Sequence, residues 1–318
     1  PTRRSSDLKY FSSNGEIREG NFINGKLNGK GKMNLTNGIY LEGNFINDKL
    51  NGEGKSININ GEIYEGQFTD GIRNGQGKLI THDKNRIEGI FVNGKIEGKG
   101  KMYLKEGDYY EGEFKNGFPN GQGIKKFKDG SIYQGNFIDG KEDGHGIKKW
   151  PDGQIYEGGF VNGIKQGKGK HIFPGGEKYE GDFMNGLYEG KGIYDWPDGT
   201  KYEGDFKNNK IEGKGIMYYY NGDRYEGDFK NDKMEGKGIM HYYNGDRYEG
   251  DFKNDELEGK GKYFWYDGDR YEGDFKNDKM EGKGIIHYNN GNKYEGYFKN
   301  GIKEGKGIKN YNIDDIIS

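Results

Sequence analysis

The sequence contains no cysteine. That excludes a disulfide framework, a Cys-ligated zinc site and thiol catalysis, and it suits a reducing compartment. Aliphatic residues are also scarce. Hydrophobics make up 30% of the 318 residues, and aromatics alone account for 15%. An ordinary core of Leu, Ile and Val is therefore out of reach. No apolar run approaches the roughly 18 residues that a membrane-spanning helix needs. Neither charge is in excess, with 50 Lys+Arg against 52 Asp+Glu, and this balance argues against bulk nucleic-acid affinity. Two classes survive: a disordered Gly-rich polymer, or a repeat protein with an aromatic core.

Register decides between them. Phe recurs every 23 residues, thirteen times, from Phe22 to Phe298, without an insertion. Counting each repeat from the residue four before that Phe, repeat nine runs from Tyr202 to Arg224. Glycine then occupies positions 3, 12 and 14 in all thirteen repeats, and position 21 in eleven, with Lys84 the exception. These columns hold fifty of the 61 glycines. A disordered polymer has composition without such register. A period of this length marks stacked supersecondary units.

Within repeat nine, Tyr202, Gly204 and Phe206 alternate with Glu203, Asp205 and Lys207, which is the period-two pattern of a strand. Gly213, Gly215 and Tyr219 carry it through the second half. Asn208-Asn209-Lys210 and Asn221-Gly222 supply turns, because Asn and Gly accept left-handed backbone angles at low cost. Each repeat is thus a two-stranded antiparallel hairpin. A first turn over positions 7 to 10 would set the Phe opposite the glycine of position 12, with its ring over bare backbone. It would also pair Asp182–Lys191, Asp205–Lys214, Asp228–Lys237, Asp251–Lys260 and Asp274–Lys283. Holding the position-18 aromatics (Trp150, Trp196, Tyr219, Tyr242, Trp265) on the Tyr/Phe face calls for a three-residue loop with a G1 bulge between repeats.

The pattern Tyr-Glu-Gly-x-Phe-x-Asn-Gly-x-x-x-Gly-x-Gly at this period resembles the MORN repeat (membrane occupation and recognition nexus), from residue 18 to about 311. The resemblance implies an all-β fold, an elongated single-layer twisted antiparallel sheet of tandem hairpins. Arg18, Leu41 and Ile87 depart from the pattern at position 1, so the first, second and fourth repeats are expected to pack less tightly. Residues 9–17 read as the tail of an earlier repeat. Residues 1–8 break the pattern and read as a translated adapter joined to an incomplete reading frame. Residues 312–318 drop the motif and form a tail or cap.

Nothing in the sequence supports catalysis, and no cofactor or metal is expected. Gly213-Lys214-Gly215 lacks the second glycine spacing and the Ser/Thr of a phosphate loop. Asn221-Gly222-Asp223 fails calcium-loop spacing. His82, His145, His171, His241 and His287 sit at scattered positions, and Glu226 and Asp228 recur in almost every repeat as sheet-face charges.

Three surfaces remain. The aromatic face (Tyr156, Phe160, Tyr179, Phe183, Tyr202, Phe206, Tyr225, Phe229, Tyr248, Phe252, Tyr271 and Phe275) is expected to offer a repeated groove to helices or tails of partner proteins. On the opposite face, Ile132, Ile138, Ile155 and Val161 mark residues 87–165 as a self-association or partner surface, unless local twist buries them. Lys207, Lys230, Lys253, Lys276 and Lys299 form a basic column for anionic headgroups, weakened by acidic columns beside it. The resemblance implies a cytoplasmic, non-catalytic scaffold at the cytoskeleton or a membrane junction, with phosphoinositide contact, protein partners and a homodimer among its expectations. The alternative is the regulatory arm of an enzyme, a phosphatidylinositol-phosphate kinase or a SET-domain lysine methyltransferase.

Overall fold

A computed structural model describes residues 5–311. The first four of the eight leading residues and the expected cap at 312–318 lie outside the described residues. Ser5 to Leu8 begin the first strand.

The described residues form 27 strands, from β1 (Ser5–Phe11) to β27 (Ile302–Asn310), in one antiparallel sheet. They fall into two compact bodies, one ending at Ile164 and the other beginning at Lys165. Within each body, successive strands pair in chain order. Every repeat contributes a seven-residue and a nine-residue strand, in repeat nine β18 (Lys201–Lys207) and β19 (Lys210–Tyr218).

Both turns follow from residues that tolerate positive φ. Asn208 and Asn209 have φ of 51° and 67°, the type I′ geometry that matches the twist of a hairpin. The loop between repeats closes with Tyr219 N donating to Asp223 O (2.9 Å) and Gly222 N to Tyr219 O (3.0 Å). Gly222 sits at φ 92°, so this is the expected three-residue loop with its G1 bulge.

The first turn is shorter than the spacing suggested, and this corrects the register. Phe206 faces Ile211, not Gly213, and Lys207 faces Lys210. The surplus residues are absorbed in a bulge where Gly213 adopts φ 66°, an angle that a side chain would strain. Position 12 has a positive φ in all thirteen repeats. Phe206 instead lies opposite Gly190 of the preceding repeat. The Asp–Lys pairs shift with it and join neighbouring repeats: Lys168–Asp182, Lys191–Asp205, Lys214–Asp228, Lys237–Asp251 and Lys260–Asp274, at 2.5 to 2.8 Å. Asp205 also accepts from the Lys214 amide across the bulge (3.1 Å), so one carboxylate ties its own hairpin and the one before.

The ring that lies over bare backbone is the tyrosine of position 1. Gly204 pairs with Gly215, and the Tyr202 ring lies flat along the strand across both. A Cβ on Gly215 would fall within 2.4 Å of the ring. The Tyr202 hydroxyl passes beyond the glycines and donates to the Asp205 carbonyl oxygen (3.1 Å). Phe206 then stands edge-on to Tyr202 and to Tyr179 of the preceding repeat, at centroid distances of 5.2 and 5.0 Å. The alternation continues through Phe229, Tyr225, Phe252 and Tyr248, and edge-to-face pairs of this kind contribute about 0.5–1.5 kcal/mol each beyond area burial. Ile211 and Met217 close over the rings, leaving Tyr202 buried in a sheet with no second layer.

The repeats without a position-1 tyrosine fill its place by substitution. Leu27, Leu50 and Ile96 at position 10 reach across the glycine pair instead, and Cβ atoms on Gly31, Gly54 and Gly100 would fall 2.9, 3.2 and 2.5 Å from them. All three are buried, yet Phe22 of the first repeat is only half-buried while the position-5 Phe of every other repeat is buried, so the expected looser packing is found in the first repeat and not in the second or fourth.

Two outcomes follow for stability. Gly215→Val should destabilise by at least about 3 kcal/mol, because the overpacked methyls have only the Tyr202 ring to displace. Gly167→Asn, at φ 75° with open space around it, should cost less than about 1 kcal/mol. Thermal melting of the two variants checks the contrast, and equal losses would contradict it. Burial also pushes the Tyr64 and Tyr156 hydroxyls up from 10 to about 12, with Tyr202 and Tyr225 raised likewise. A raised folded value means the unfolded chain loses its tyrosine protons first. Stability is therefore complete below pH 10 and is lost as pH rises through about 12. Tyrosinate absorbance should rise in step with loss of the β-sheet circular dichroism signal, whereas smooth ionisation with the sheet intact would overturn this.

Candidate binding surfaces

The twelve aromatic residues expected to form an open groove are instead the interior. Tyr156, Tyr179, Tyr202, Tyr225, Tyr248 and Tyr271 are fully buried, and Phe160, Phe183, Phe206, Phe229, Phe252 and Phe275 nearly so. Their role is packing, because a one-layer sheet covers its aromatic face with its own position-10 and position-16 side chains.

Ile132, Ile138 and Val161 are exposed, and Ile155 is half-buried. Twist does not bury them. They do not form one patch, however. Ile132 and Ile155 flank Lys149 at one end of their strands, while Ile138 and Val161 lie at the other end, six residues or about 20 Å away, beyond Gln134 and Asn136.

Lys207, Lys230, Lys253, Lys276 and Lys299 line up at the two-residue turns and are exposed. Lys207, Lys230 and Lys276 stand opposite further lysines, Lys210, Lys233 and Lys279, whereas Lys253 faces Glu256. Lys299 reaches Glu304 at 3.8 Å. The acidic column beside them is engaged by backbone: Asp232, Asp255 and Asp278 accept from the amides of Ile211, Met234 and Leu257 of the preceding repeat, at 2.7 to 2.8 Å. These bonds clamp each turn to its neighbour.

Among the described residues, no cluster of three or more His, Asp or Glu could hold a metal ion. His82 is exposed beside Asp83. His171 is buried against the Tyr188 hydroxyl (3.2 Å) and the Lys165 ammonium (3.4 Å). Glu226 and Asp228 are taken up by Arg224 and Lys214.

One feature escaped the sequence reading. On the face away from the tyrosines, the paired glycines run between two rows of outward side chains. In the second body this leaves a groove floored by Gly204, Gly227, Gly250, Gly273 and Gly296, seen as hollows of about 630 and 740 Å³. One wall is the row of Asp–Lys ion pairs, and the other carries Glu249, Glu272, Glu295, Ile285 and Ile308. The walls are two residues apart along the strands, about 7 Å. The last stretch is unbalanced. Lys283 lies over the exposed Tyr297 ring at 5.6 Å, where earlier repeats place an aspartate. Neither Lys283 nor Lys306 has an ion-pair partner among the described residues. The missing aspartate at Tyr297 was the available signal.

The family model described as MORN repeat matches thirteen consecutive segments, from 19–40 to 294–312. The search of curated proteins found no match. Among solved structures, the TCP10 domain of Danio rerio CPAP aligns at 13% identity and a TM-score of 0.35, covering 70% of this chain and 94% of that one. The SAS-4 (dCPAP) TCP domain of Drosophila melanogaster, in complex with a proline-rich motif of Ana2 (dSTIL), aligns at 15% identity and a TM-score of 0.31, covering 54% and 86%. Scores this low carry nothing about fold or ligands from those proteins to this chain.

Proposed function

The chain belongs to the MORN-repeat family, and we propose that it is a non-catalytic scaffold whose glycine-floored groove docks an extended tail of a partner protein. The observation that carries this reading is the groove itself. It runs across successive repeats, has a smooth floor, and is too narrow for a helix of about 10 Å diameter to enter. Its lysine excess at Lys283 and Lys306, beside Tyr297, Ile285 and Ile308, favours an acidic tail with apolar residues interspersed. No helix among the described residues is long and apolar enough to cross a membrane.

The test compares proteins retained from a cell extract by the immobilised chain and by a Lys283→Glu/Lys306→Glu variant of equal melting temperature. The variant should lose the salt-sensitive partners at least about tenfold. An identical set retained by both would contradict the groove as the docking site.

Phosphoinositide contact is a second reading, favoured by the facing lysines Lys207/Lys210, Lys230/Lys233 and Lys276/Lys279. Near an anionic surface each contributes about 1 kcal/mol. The chain should co-sediment with phosphoinositide-containing vesicles at low salt, and Lys207→Glu with Lys230→Glu and Lys276→Glu should release it. Absence of the chain from the vesicle pellet at low salt would end this reading.

A further inference from the structure

The loops between repeats carry a second surface, separate from the groove. Position 19 forms their tips. Tyr220, Tyr243 and Tyr266 occupy it in three consecutive repeats, with 74%, 81% and 76% of their surface exposed. These rings are surplus to the fold. The same loop closes with Pro197 at its tip, where Trp196 N donates to Thr200 O (2.9 Å), and with Asn289, where Tyr288 N donates to Asn292 O (2.9 Å). Neither loop needs an aromatic ring.

The three tips stack in order. A Cβ on Gly222 would fall 2.9 Å from the Tyr243 ring, and one on Gly245 would fall 3.3 Å from Tyr266 Cβ. Tyr243 and Tyr266 therefore rest on the glycine of the loop before them, whereas a Cβ on Gly199, in the loop before Tyr220, would meet nothing within 4 Å. The Asp223 and Asp246 carboxylates accept from the amides of Tyr243 and Tyr266, at 2.7 and 2.9 Å, which fixes the spacing. Successive tips are two strands apart, about 9.5 Å.

That spacing selects a ligand backbone. A polyproline II helix repeats every three residues at 3.1 Å each, about 9.3 Å, so one face of it meets every ring in turn. A β-strand brings side chains to one face about every 6.8 Å, and the i, i+7 row of an α-helix recurs about every 10.5 Å and drifts about 2 Å over three rings. Tyrosine suits the task, with a flat apolar face for a proline ring and a hydroxyl to donate to its unpaired carbonyls. The loops also set the ligand's charge. Asp223, Asp267 and Asp269 reach the surface of the loops at 219–223, 242–246 and 265–269, which carry no lysine or arginine, while Asp246 is buried. Of the arginines that follow these loops, Arg224 and Arg247 pair with Glu226 and Glu249. We propose that Tyr220, Tyr243 and Tyr266 form a docking ridge for a proline-rich segment that carries basic residues.

The experiment titrates the full chain with a labelled peptide of about twelve residues built from Pro-Pro-Lys triplets, and with a Gly-Ser-Lys peptide of equal length and charge. Anisotropy should show saturable binding of the proline peptide, at least about tenfold tighter than the control. Replacing Tyr220, Tyr243 and Tyr266 together by Asn, the residue that the twelfth loop already carries, should abolish that preference at an unchanged melting temperature. Replacing them by Phe should keep most of it. Equal binding of the two peptides would overturn the proposal, as would a preference that survives in the Asn variant. Should the triple Asn variant melt early, the outcome rests on the single variants Tyr220→Asn, Tyr243→Asn and Tyr266→Asn: weaker binding of the proline peptide in each supports the ridge, and undiminished binding in all three overturns it.

Discussion

A tyrosine ring lying flat on two paired glycines is the contact from which this protein is built. A sheet one strand deep has no opposing layer to complete a core, so its side chains must bury one another. Most rings in a sheet stand up from it. Here the Tyr202 ring lies down, which is feasible only because Gly204 and Gly215 both lack a Cβ. The hydroxyl, carried past the glycines, finds the Asp205 carbonyl and avoids the cost of a buried unpaired donor. Phe206 and its neighbours then fill the space between successive tyrosines. The first, second and fourth repeats show that the constraint is the bare glycine pair and not the ring, since Leu27, Leu50 and Ile96 are buried against the same pairs.

The same constraint joins the repeats. Phe206, Phe229, Phe252 and Phe275 each meet the tyrosine of their own hairpin and that of the one before, and Asp205, Asp228 and Asp251 each tie two hairpins at once. Ordering the 23 residues of one repeat costs more than its few rings return alone. Cohesion therefore lies in the contacts between neighbours, as in other linear repeat proteins.

Much of this was legible in the residues. Glycines in register identify an array, alternation identifies strands, and Asn-Gly chemistry identifies turns. The loop between repeats was readable down to its bulge, because only an odd loop keeps Tyr219 on the aromatic face. The first turn was not. A left-handed glycine such as Gly213 and an extended one such as Gly215 look alike in sequence, so a four-residue turn and a two-residue turn with a bulge fit the same spacing. That single ambiguity moved the Asp–Lys pairs from within hairpins to between them, and assigned the wrong ring to the glycines. The aromatic residues were correctly placed on one face but mistaken for a docking surface. Periodicity reports which side a ring occupies, not whether its neighbours cover it. The glycine-floored groove went unseen because periodicity names the two flanking rows of side chains and not the depth of the space between them.

A double-mutant cycle isolates the contact between the tyrosine ring and its glycine. Stability is measured for Gly238→Ala, Tyr225→Leu and the two combined, at the pair where a Cβ would fall within 2.4 Å of the tyrosine ring. If the ring lies on the glycine, removing it relieves the clash, and the double variant is more stable than the sum of the single losses by about 1 kcal/mol or more. Strict additivity would mean that ring and glycine do not meet, and the account of the fold would fail with it.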